Sequence, residues 1–308
     1  MQIYLNPHCD YGKGWRKWKK IEPELRKEFG NFSVEEIISP NALGRQVEFA
    51  LKAGKRIFIA AGGDGTVNLL LNALMNSSTE KENILFGTIG LGSSNDFHKP
   101  FRPEAVIKGV PLRMNFQKAI LSDVICVQYR NFQNRPHTRY CLINASIGIA
   151  AQANAIYNSR ISWIEFIQKI SIEAAILASA LKTILTFKNI PCQIELNGTE
   201  PRSFRLTNLG VIKNPHFAGG MCYDTPIQPD DGKLGVNLCN DMTIGEAVGT
   251  LIKLYKQQFQ GRPKTQTYST KNLTIKSNQQ FALEMDGEVV HTNQVKFEVI
   301  PKAMRCCS

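Results

Sequence analysis

The residues best able to do chemistry in this chain sit in four turns built from acids and glycines. The first is Gly62-Gly63-Asp64-Gly65-Thr66. It follows an apolar run, Ile57 to Ala61, and leads into a segment with Val67, Leu70, Leu71 and Leu74 on one helical face. Strand, glycine turn and helix is an arrangement that holds phosphate. The glycines let backbone N–H groups approach an anion, and the helix N-terminus adds partial positive charge. Asp64 is out of place in such a cradle unless it holds a cation or a set of donors. The turn is not a Walker A loop, because no Gly-Lys-Ser/Thr follows at the required spacing. It is not GxGxxG either, since Asp64 and Thr66 interrupt the glycines. A plainer reading is a tight strand–helix connection capped by Asp64 or Thr66.

The second turn lies in GTIGLGSSNDF, where Gly90, Gly92, Ser93 and Ser94 make a polar loop and Asn95-Asp96 can donate and accept in one place. The third is Asp230-Asp231-Gly232, a plain turn or a cation site with Asp231 and nearby carbonyl oxygens as Mg²⁺ ligands. The fourth is Met285-Asp286-Gly287-Glu288, which reads as a hairpin with Asp-Gly at its tip. Each taken singly is as well explained by an ordinary turn. Four in one chain of this architecture are harder to dismiss.

The elements that must position these turns follow from periodicity. Ile3 to Leu5, Phe32 to Ile38, Ile57 to Ala61 and Ile84 to Ile89 read as strands. Helices are expected from about Trp15 to Phe29, from Leu43 to Ala53 and after the glycine turn. This alternation predicts an α/β fold with an open parallel sheet, whose ligand sits beyond the carboxyl ends of the strands. From about Ser122 the pattern changes. Val124 to Tyr129, Tyr140 to Ile147, Cys192 to Leu196, Phe204 to Ile212, Leu234 to Leu238, Leu273 to Ser277, Phe281 to Met285 and Val295 to Ile300 read as strands. Long helices are expected only from Ser162 to Phe187 and from Ile244 to Phe259. The expectation is an open α/β domain over residues 1–121 and a β-rich, antiparallel, sandwich-like domain over 122–308. The last strand is free to return to the first domain. With no low-complexity linker, the halves are expected to abut and form a cleft.

Composition narrows the classes. Hydrophobic content of 43% supports sizeable cores and argues against disorder. The formal charge of +11 suits nucleic acid, an anionic membrane surface or a polyanionic small molecule, or simply a solvated basic surface. A basic cluster lies at Lys13, Arg16, Lys17, Lys19 and Lys20. No zinc finger, RNP1 signature or basic zipper is present, so nucleic acid is not expected as a partner. Eight cysteines without a CxxC pair point to a reduced, cytoplasmic protein. The first residues lack a basic region followed by an apolar core, so no secretory leader is expected. No uncharged apolar run reaches transmembrane length.

AAGGDGTVN, then Gly-x-Gly-x-x-Asn-Asp, then Pro226-x-x-x-Asp230-Asp231-Gly232, then the late Asp286-Gly287-Glu288 resemble, in this order, the diacylglycerol kinase catalytic-domain family. The resemblance extends from Asn6-Pro7 to the final strand. It implies transfer of the γ-phosphoryl group of ATP to a free hydroxyl of a lipid such as diacylglycerol. It further implies that Asn6 and Pro7 border the nucleotide and that Gly62, Gly63, Asp64, Gly65 and Thr66 form the phosphate loop. Gly92, Ser93, Asn95 and Asp96 match the loop facing it. Asp231 matches a Mg²⁺-ligating aspartate that orders the site, with the carbonyls of Gln228 and Lys233 as companions. Glu288 matches the proton acceptor and Asp286 its neighbour, with Asp64 counted beside them in the catalytic set. Three positions depart from the family's pattern. Gly90 and Ser93 stand where it usually has Pro and Thr; Ser93 keeps the hydroxyl, whereas Gly90 is expected to loosen that loop, and Gln228 replaces an alanine.

A lipid acceptor implies peripheral contact with an anionic membrane. The segment Ile161 to Leu185, flanked by Arg160, Lys169, Lys182 and Lys188, is either a core helix or the wall that meets lipid. The competing readings are an NAD kinase-like enzyme, which shares GGDGT, a sphingoid- or ceramide-directed kinase, and a non-catalytic lipid-binding member. The sequence leaves the choice of lipid and the oligomeric state, a homodimer included, open.

Overall fold

The structure, a computed structural model, describes residues 1–77, 81–99, 105–131, 133–159 and 162–308. Arg160 and Ile161 of the expected membrane segment lie outside the described residues, as does the side chain of Lys169. The chain divides into two compact units. One holds residues Met1–Val124 and Pro301–Ser308, the other Ile125–Ile300.

The first unit runs β1 (Gln2–Leu5), α1 (Lys13–Phe29), β2 (Ser33–Glu36), α2 (Pro40–Lys52), β3 (Ile57–Gly62), α3 (Asp64–Ser77), β4 (Leu85–Gly90), β5 (Ala105–Ile107) and β6 (Val110–Arg113). Strands β2, β1, β3 and β4 lie side by side in that order with parallel registers. Beyond β4 the sheet stops being parallel. Antiparallel β6 pairs with Thr88 and Ile89, and β5 pairs antiparallel with β6. The chain end also returns here: Arg305 and Cys306 pair in parallel with Leu85 and Phe86 of β4. Lys302 donates its N–H to Asp123 at 2.9 Å, and Cys307 donates its own to the Phe86 carbonyl at 2.9 Å. The sheet is therefore mixed. On one of its faces Ile3, Leu5, Ile59, Ala61 and Ile89 pack with Trp18, Ile21 and Leu25 of α1 in one buried cluster.

Strand β7 (Ile120–Arg130) leads into the second unit. There follow β8 (Pro136–Cys141), β9 (Asn144–Gly148), α4 (Ile149–Asn158), α5 (Ser162–Ile170), α6 (Ile172–Thr186), β10 (Ile190–Leu196), β11 (Arg202–Ile212), β12 (His216–Phe217), β13 (Met221–Cys222), β14 (Leu234–Asn240), α7 (Ile244–Tyr255), β15 (Thr265–Thr270), β16 (Asn272–Met285) and β17 (Glu288–Cys306). The pairings within it are antiparallel. β15, β14 and β11 are neighbours in that order, and β10 and β9 share the other edge of β11. β10 and β9 in turn pair with the two halves of β16, whose hairpin partner is β17. Alternating residues such as Ile190, Cys192 and Ile194 of β10 and Leu273 and Ile275 of β16 point into one apolar cluster.

Two expected elements are broken, each for a local reason. The strand expected from Tyr140 to Ile147 divides at Leu142-Ile143, where backbone groups turn to bond elsewhere. The helix expected from Ser162 to Phe187 divides at Ser171, whose hydroxyl accepts the Ala174 N–H at 3.2 Å and starts α6 afresh. The segment is also both core and surface. Ala180 and Ile184 are buried with Leu251 and Leu254 of α7, whereas Phe166 (65% exposed), Ile170 (72%) and Leu185 (67%) are open.

Candidate functional site

In the first unit β3 ends at Gly62 and α3 begins at Asp64, so the glycine turn is a direct strand-to-helix connection. The loop after β4 is stitched to it. The Gly62 carbonyl accepts the N–H groups of Leu91 at 2.9 Å and Gly92 at 3.2 Å. The two backbones touch: a side chain on Gly92 would place its Cβ 2.4 Å from the Cα of Gly63. Gly65 differs. It is exposed, and a Cβ there would meet nothing within 4 Å, so protein packing does not demand glycine at the open start of α3.

Asp64 is a clip. Its Oδ2 accepts the Asp96 N–H and its Oδ1 the Phe97 N–H, both at 3.0 Å. It thereby holds the short 3₁₀ turn Asp96–His98 against α3. Burial, followed by the neighbouring charge of Asp96, pushes the Asp64 carboxyl up to about 6. Asp96 in turn pairs with Lys99. Asn95, in the left-handed region at φ 49°, donates through Nδ2 to the carbonyls of Gly90 (3.2 Å) and Gly92 (3.1 Å). Asn6 donates through Nδ2 to the Thr66 hydroxyl at 3.1 Å, and its Oδ1 accepts the His8 N–H.

Thus Asn6, Gly62 to Thr66, Gly92, Asn95 and Asp96 come together in one place. Pro7 lies beside Asn6, and Ser93 is exposed on the facing loop. Gly90 corrects the expectation of looseness. It is buried, and a Cβ there would lie 2.8 Å from Pro111 and 3.1 Å from Asn95 and His98, so it is a packed position.

Sequence reasoning missed the groups that support this loop. Lys17 of α1 donates to the carbonyls of Leu91 (3.1 Å) and Gly92 (3.0 Å) and pairs with Asp10 at 3.0 Å. Arg113 of β6, buried, donates to the carbonyls of Phe97 (3.1 Å) and Cys307 (2.9 Å) and lies over the Phe97 ring. His98 shares a 3.1 Å hydrogen bond with Thr88, and burial followed by the Arg113 charge lowers it to about 3, keeping it neutral. No local signal marks Arg113: a buried cation requires partners, but its burial and its carbonyl partners are seen only in the fold.

In the second unit Met285 pairs with Glu288 across a two-residue turn. Asp286 (φ 44°) and Gly287 (φ 101°) both take positive φ, as a primed hairpin turn requires. The Asp286 carboxylate accepts the N–H groups of Leu142 (3.1 Å) and Asn144 (2.9 Å), which is what divides β8 from β9. Glu284, also missed, accepts the Ser146 hydroxyl and the Gly287 N–H, each at 2.7 Å. Burial raises its carboxyl above the usual range against the pull of those bonds. From α4, Asn154 and Asn158 donate to the Gly287 carbonyl at 3.3 and 3.0 Å. The turn is held from three sides, and Glu288 stands half-buried at the start of β17.

Three assignments look different in the structure. Asp64 and Asp286 were expected in the catalytic set, and each accepts backbone N–H groups of a distant loop on both carboxylate oxygens, an arrangement that positions those loops. The third concerns the metal. The oxygens expected to ligate Mg²⁺ surround the ammonium of Lys213 instead, with Gln228 O at 2.7 Å, Asp231 Oδ1 at 2.8 Å and Lys233 O at 2.9 Å. Mg²⁺ at about 2.0–2.1 Å from the same oxygens would occupy the space of that nitrogen. The residues present do not fit a metal there.

Comparison with known proteins agrees with this architecture. Residues 1–122 match the family model of the diacylglycerol kinase catalytic domain, and residues 144–308 that of the YegS C-terminal NAD kinase beta sandwich-like domain. A protein of Escherichia coli named "Probable lipid kinase YegS" is 26% identical over 290 residues, 92% of this chain and 88% of its own length. A solved structure, titled as that of a diacylglycerol kinase from Bacillus anthracis, shares the fold with a TM-score of 0.66 at 16% identity. It covers 99% of this chain and is itself 95% covered. The class is that of lipid kinases, diacylglycerol kinase-like. The chain belongs to the diacylglycerol kinase catalytic-domain family.

Proposed function

We propose that this chain transfers the γ-phosphoryl group of ATP, taken with its Mg²⁺ counter-ion, to a free hydroxyl of a lipid such as diacylglycerol. The observation that carries this reading is the open start of α3 at Gly65, beside a loop that Asp64 holds in place. A helix N-terminus without side chains over it is a seat for phosphate. The Oδ1 of Asn95, buried and without a partner among the described residues, is an acceptor that a ligand donor would complete. Asn6, Pro7, Gly62 to Thr66, Gly92 and Ser93 border the nucleotide in this reading.

Phosphoryl transfer asks for charge neutralisation, alignment and a proton acceptor. The lipid hydroxyl oxygen forms the new bond to phosphorus, the bond to ADP breaks, and the hydroxyl proton passes to the Glu288 carboxylate. Among the described residues the Glu288 carboxylate, unlike that of Asp286, accepts no hydrogen bond, which supports giving it this role. The lipid is met at an anionic bilayer surface, where the open apolar residues Phe166, Ile170 and Leu185 of α5 and α6 sit favourably.

The test is a labelled-ATP assay against diacylglycerol, phosphatidylglycerol, ceramide and sphingoid bases, with NAD as control. Label in a lipid product is expected, and label in NAD alone would overturn the reading. Glu288→Gln keeps size and hydrogen bonding but accepts no proton. Its kcat should fall on the order of 10²–10⁴-fold with the KM for ATP little changed. A Glu288→Gln enzyme within a few-fold of the wild type would move the base elsewhere.

A further inference from the structure

We propose that Lys213 is a built-in cation. Its ammonium takes the position of a divalent ion in the Asp231 cradle, so that in this chain the cradle is held by a side chain and binds no metal. The stoichiometry fits. An ammonium has three N–H donors and no acceptor. The cradle offers three oxygens, Gln228 O, Asp231 Oδ1 and Lys233 O, all 2.7–2.9 Å from Nζ. The side chain of Lys213 is 1% exposed and that of Asp231 26%. Asp231 is further fixed by the N–H groups of Gln228 (3.1 Å) and Lys233 (3.0 Å). Burial alone would raise its carboxyl. The bonds from Lys213, Gln228 and Lys233 outweigh burial and hold it below the usual carboxylate range. A dication placed beside this ammonium would meet like charge at van der Waals distance in a partly desolvated site.

The lysine stands where such a cation is useful. It directly follows β11, and the N–H groups of Lys213 and Asn214 both bond the Ile143 carbonyl, at 2.9 and 3.0 Å. Ile143 is flanked by the two residues whose N–H groups bind Asp286. The 228–233 loop is thereby tied through Lys213 to the 142–144 segment that binds Asp286. A covalently attached cation keeps that tie whatever the free Mg²⁺ concentration. Lys213 is a positioning residue in this account, and its role depends on neither ATP nor the identity of the lipid.

The experiment is thermal unfolding of the full chain without nucleotide, in EDTA and across a MgCl₂ titration, for the wild type, Asp231→Asn, Lys213→Met and the double variant. The wild type should melt alike in EDTA and Mg²⁺, with any small drift shared by Asp231→Asn. Lys213→Met keeps the apolar stem and removes the charge. It should melt roughly 5–10 °C lower in EDTA, the scale for breaking a buried pair in a chain of this size. Added Mg²⁺ should then raise its midpoint saturably, because the uncovered oxygens form a metal site, and the double variant should lose that rescue. A saturable Mg²⁺ stabilisation of the wild type that disappears in Asp231→Asn would overturn the proposal. So would a Lys213→Met protein that melts like the wild type, or one that folds but gains nothing from Mg²⁺. Should Lys213→Met fail to fold, the wild-type and Asp231→Asn titrations still decide the matter.

Discussion

Asp64 in the first unit and Asp231 in the second do the same local work beside opposite neighbours. Each carboxylate accepts two backbone N–H groups: those of Asp96 and Phe97 for Asp64, those of Gln228 and Lys233 for Asp231. Burial disfavours charge in both. Beside Asp64 stands the carboxylate of Asp96, and the pKa rises to about 6. Beside Asp231 stands the Lys213 ammonium, and the pKa falls below the usual range. The difference teaches that an aspartate in a glycine turn has no fixed electrostatic character. Depth of burial and the third charge in the group set it together, and both come from elsewhere in the chain.

The largest effect expected from breaking this pair of clips is at Asp231. Asp231→Ala removes the partner of a lysine whose side chain is 1% exposed, leaving an uncompensated buried charge. Breaking such a pair costs about 3–5 kcal/mol at full burial, and about 2–4 here because Asp231 keeps some solvent. Chemical denaturation at pH 7 measures it, and a loss under about 0.5 kcal/mol would show that the cradle is solvated.

Asp64→Asn should cost less, and its cost should change with pH. The amide keeps one acceptor but turns N–H donors toward a backbone N–H, at about 1–3 kcal/mol. Against that, it removes the repulsion with Asp96. The folded pKa of Asp64 lies above its ordinary value of 3.8. Its titration therefore contributes stability that is fully present below pH ~4 and is lost as pH rises through about 6. The wild type should gain on Asp64→Asn as pH falls from 7 to 5. Asp231 has the opposite sign. Its depressed pKa contributes stability above the ordinary value, lost as pH falls through the folded one, so the wild-type advantage over Asp231→Asn should hold from pH 7 to 5 and shrink only in stronger acid. Denaturation curves across this range that move in parallel for both variants would refute the contrast.

The smallest effect is expected at Lys17, about a third exposed, whose bonds to the Leu91 and Gly92 carbonyls support the loop that Asp64 clips. Lys17→Met should cost under about 1 kcal/mol in stability, since solvent screens the ammonium. In the proposed kinase it should raise the KM for ATP a few-fold and leave kcat nearly unchanged. A larger fall in kcat than in affinity would place Lys17 in the chemistry instead.

Legibility in the sequence followed the range of the interaction. The strand–glycine–helix unit from Ile57 to Leu74 was readable, because apolar runs, helical spacing and glycines are all local signals. So was the Asp286-Gly287 hairpin, whose turn chemistry lies within four residues. The break at Ser171 carried a local signal too, a serine cap, but an unbroken apolar stripe on either side outweighed it. β15 and α4 were not read as elements: Thr265–Thr270 alternates weakly, and Ile149–Asn158 lacks a capping side chain at Gly148.

The order of the motifs, and with it membership in the family, was determined by the sequence alone. So were the candidate phosphate turn and the change from alternating to β-rich pattern. Only the tertiary structure decided what the acids do. Asp64 reaches N–H groups 32 and 33 residues away, Asp286 reaches others 144 and 142 residues away, and Lys213 enters oxygens 15 to 20 residues on. A carboxylate looks the same in a sequence whether it faces a ligand, a backbone clip or a lysine. The charges and donors that distinguish these cases are brought beside it only when strands far apart in the chain are paired.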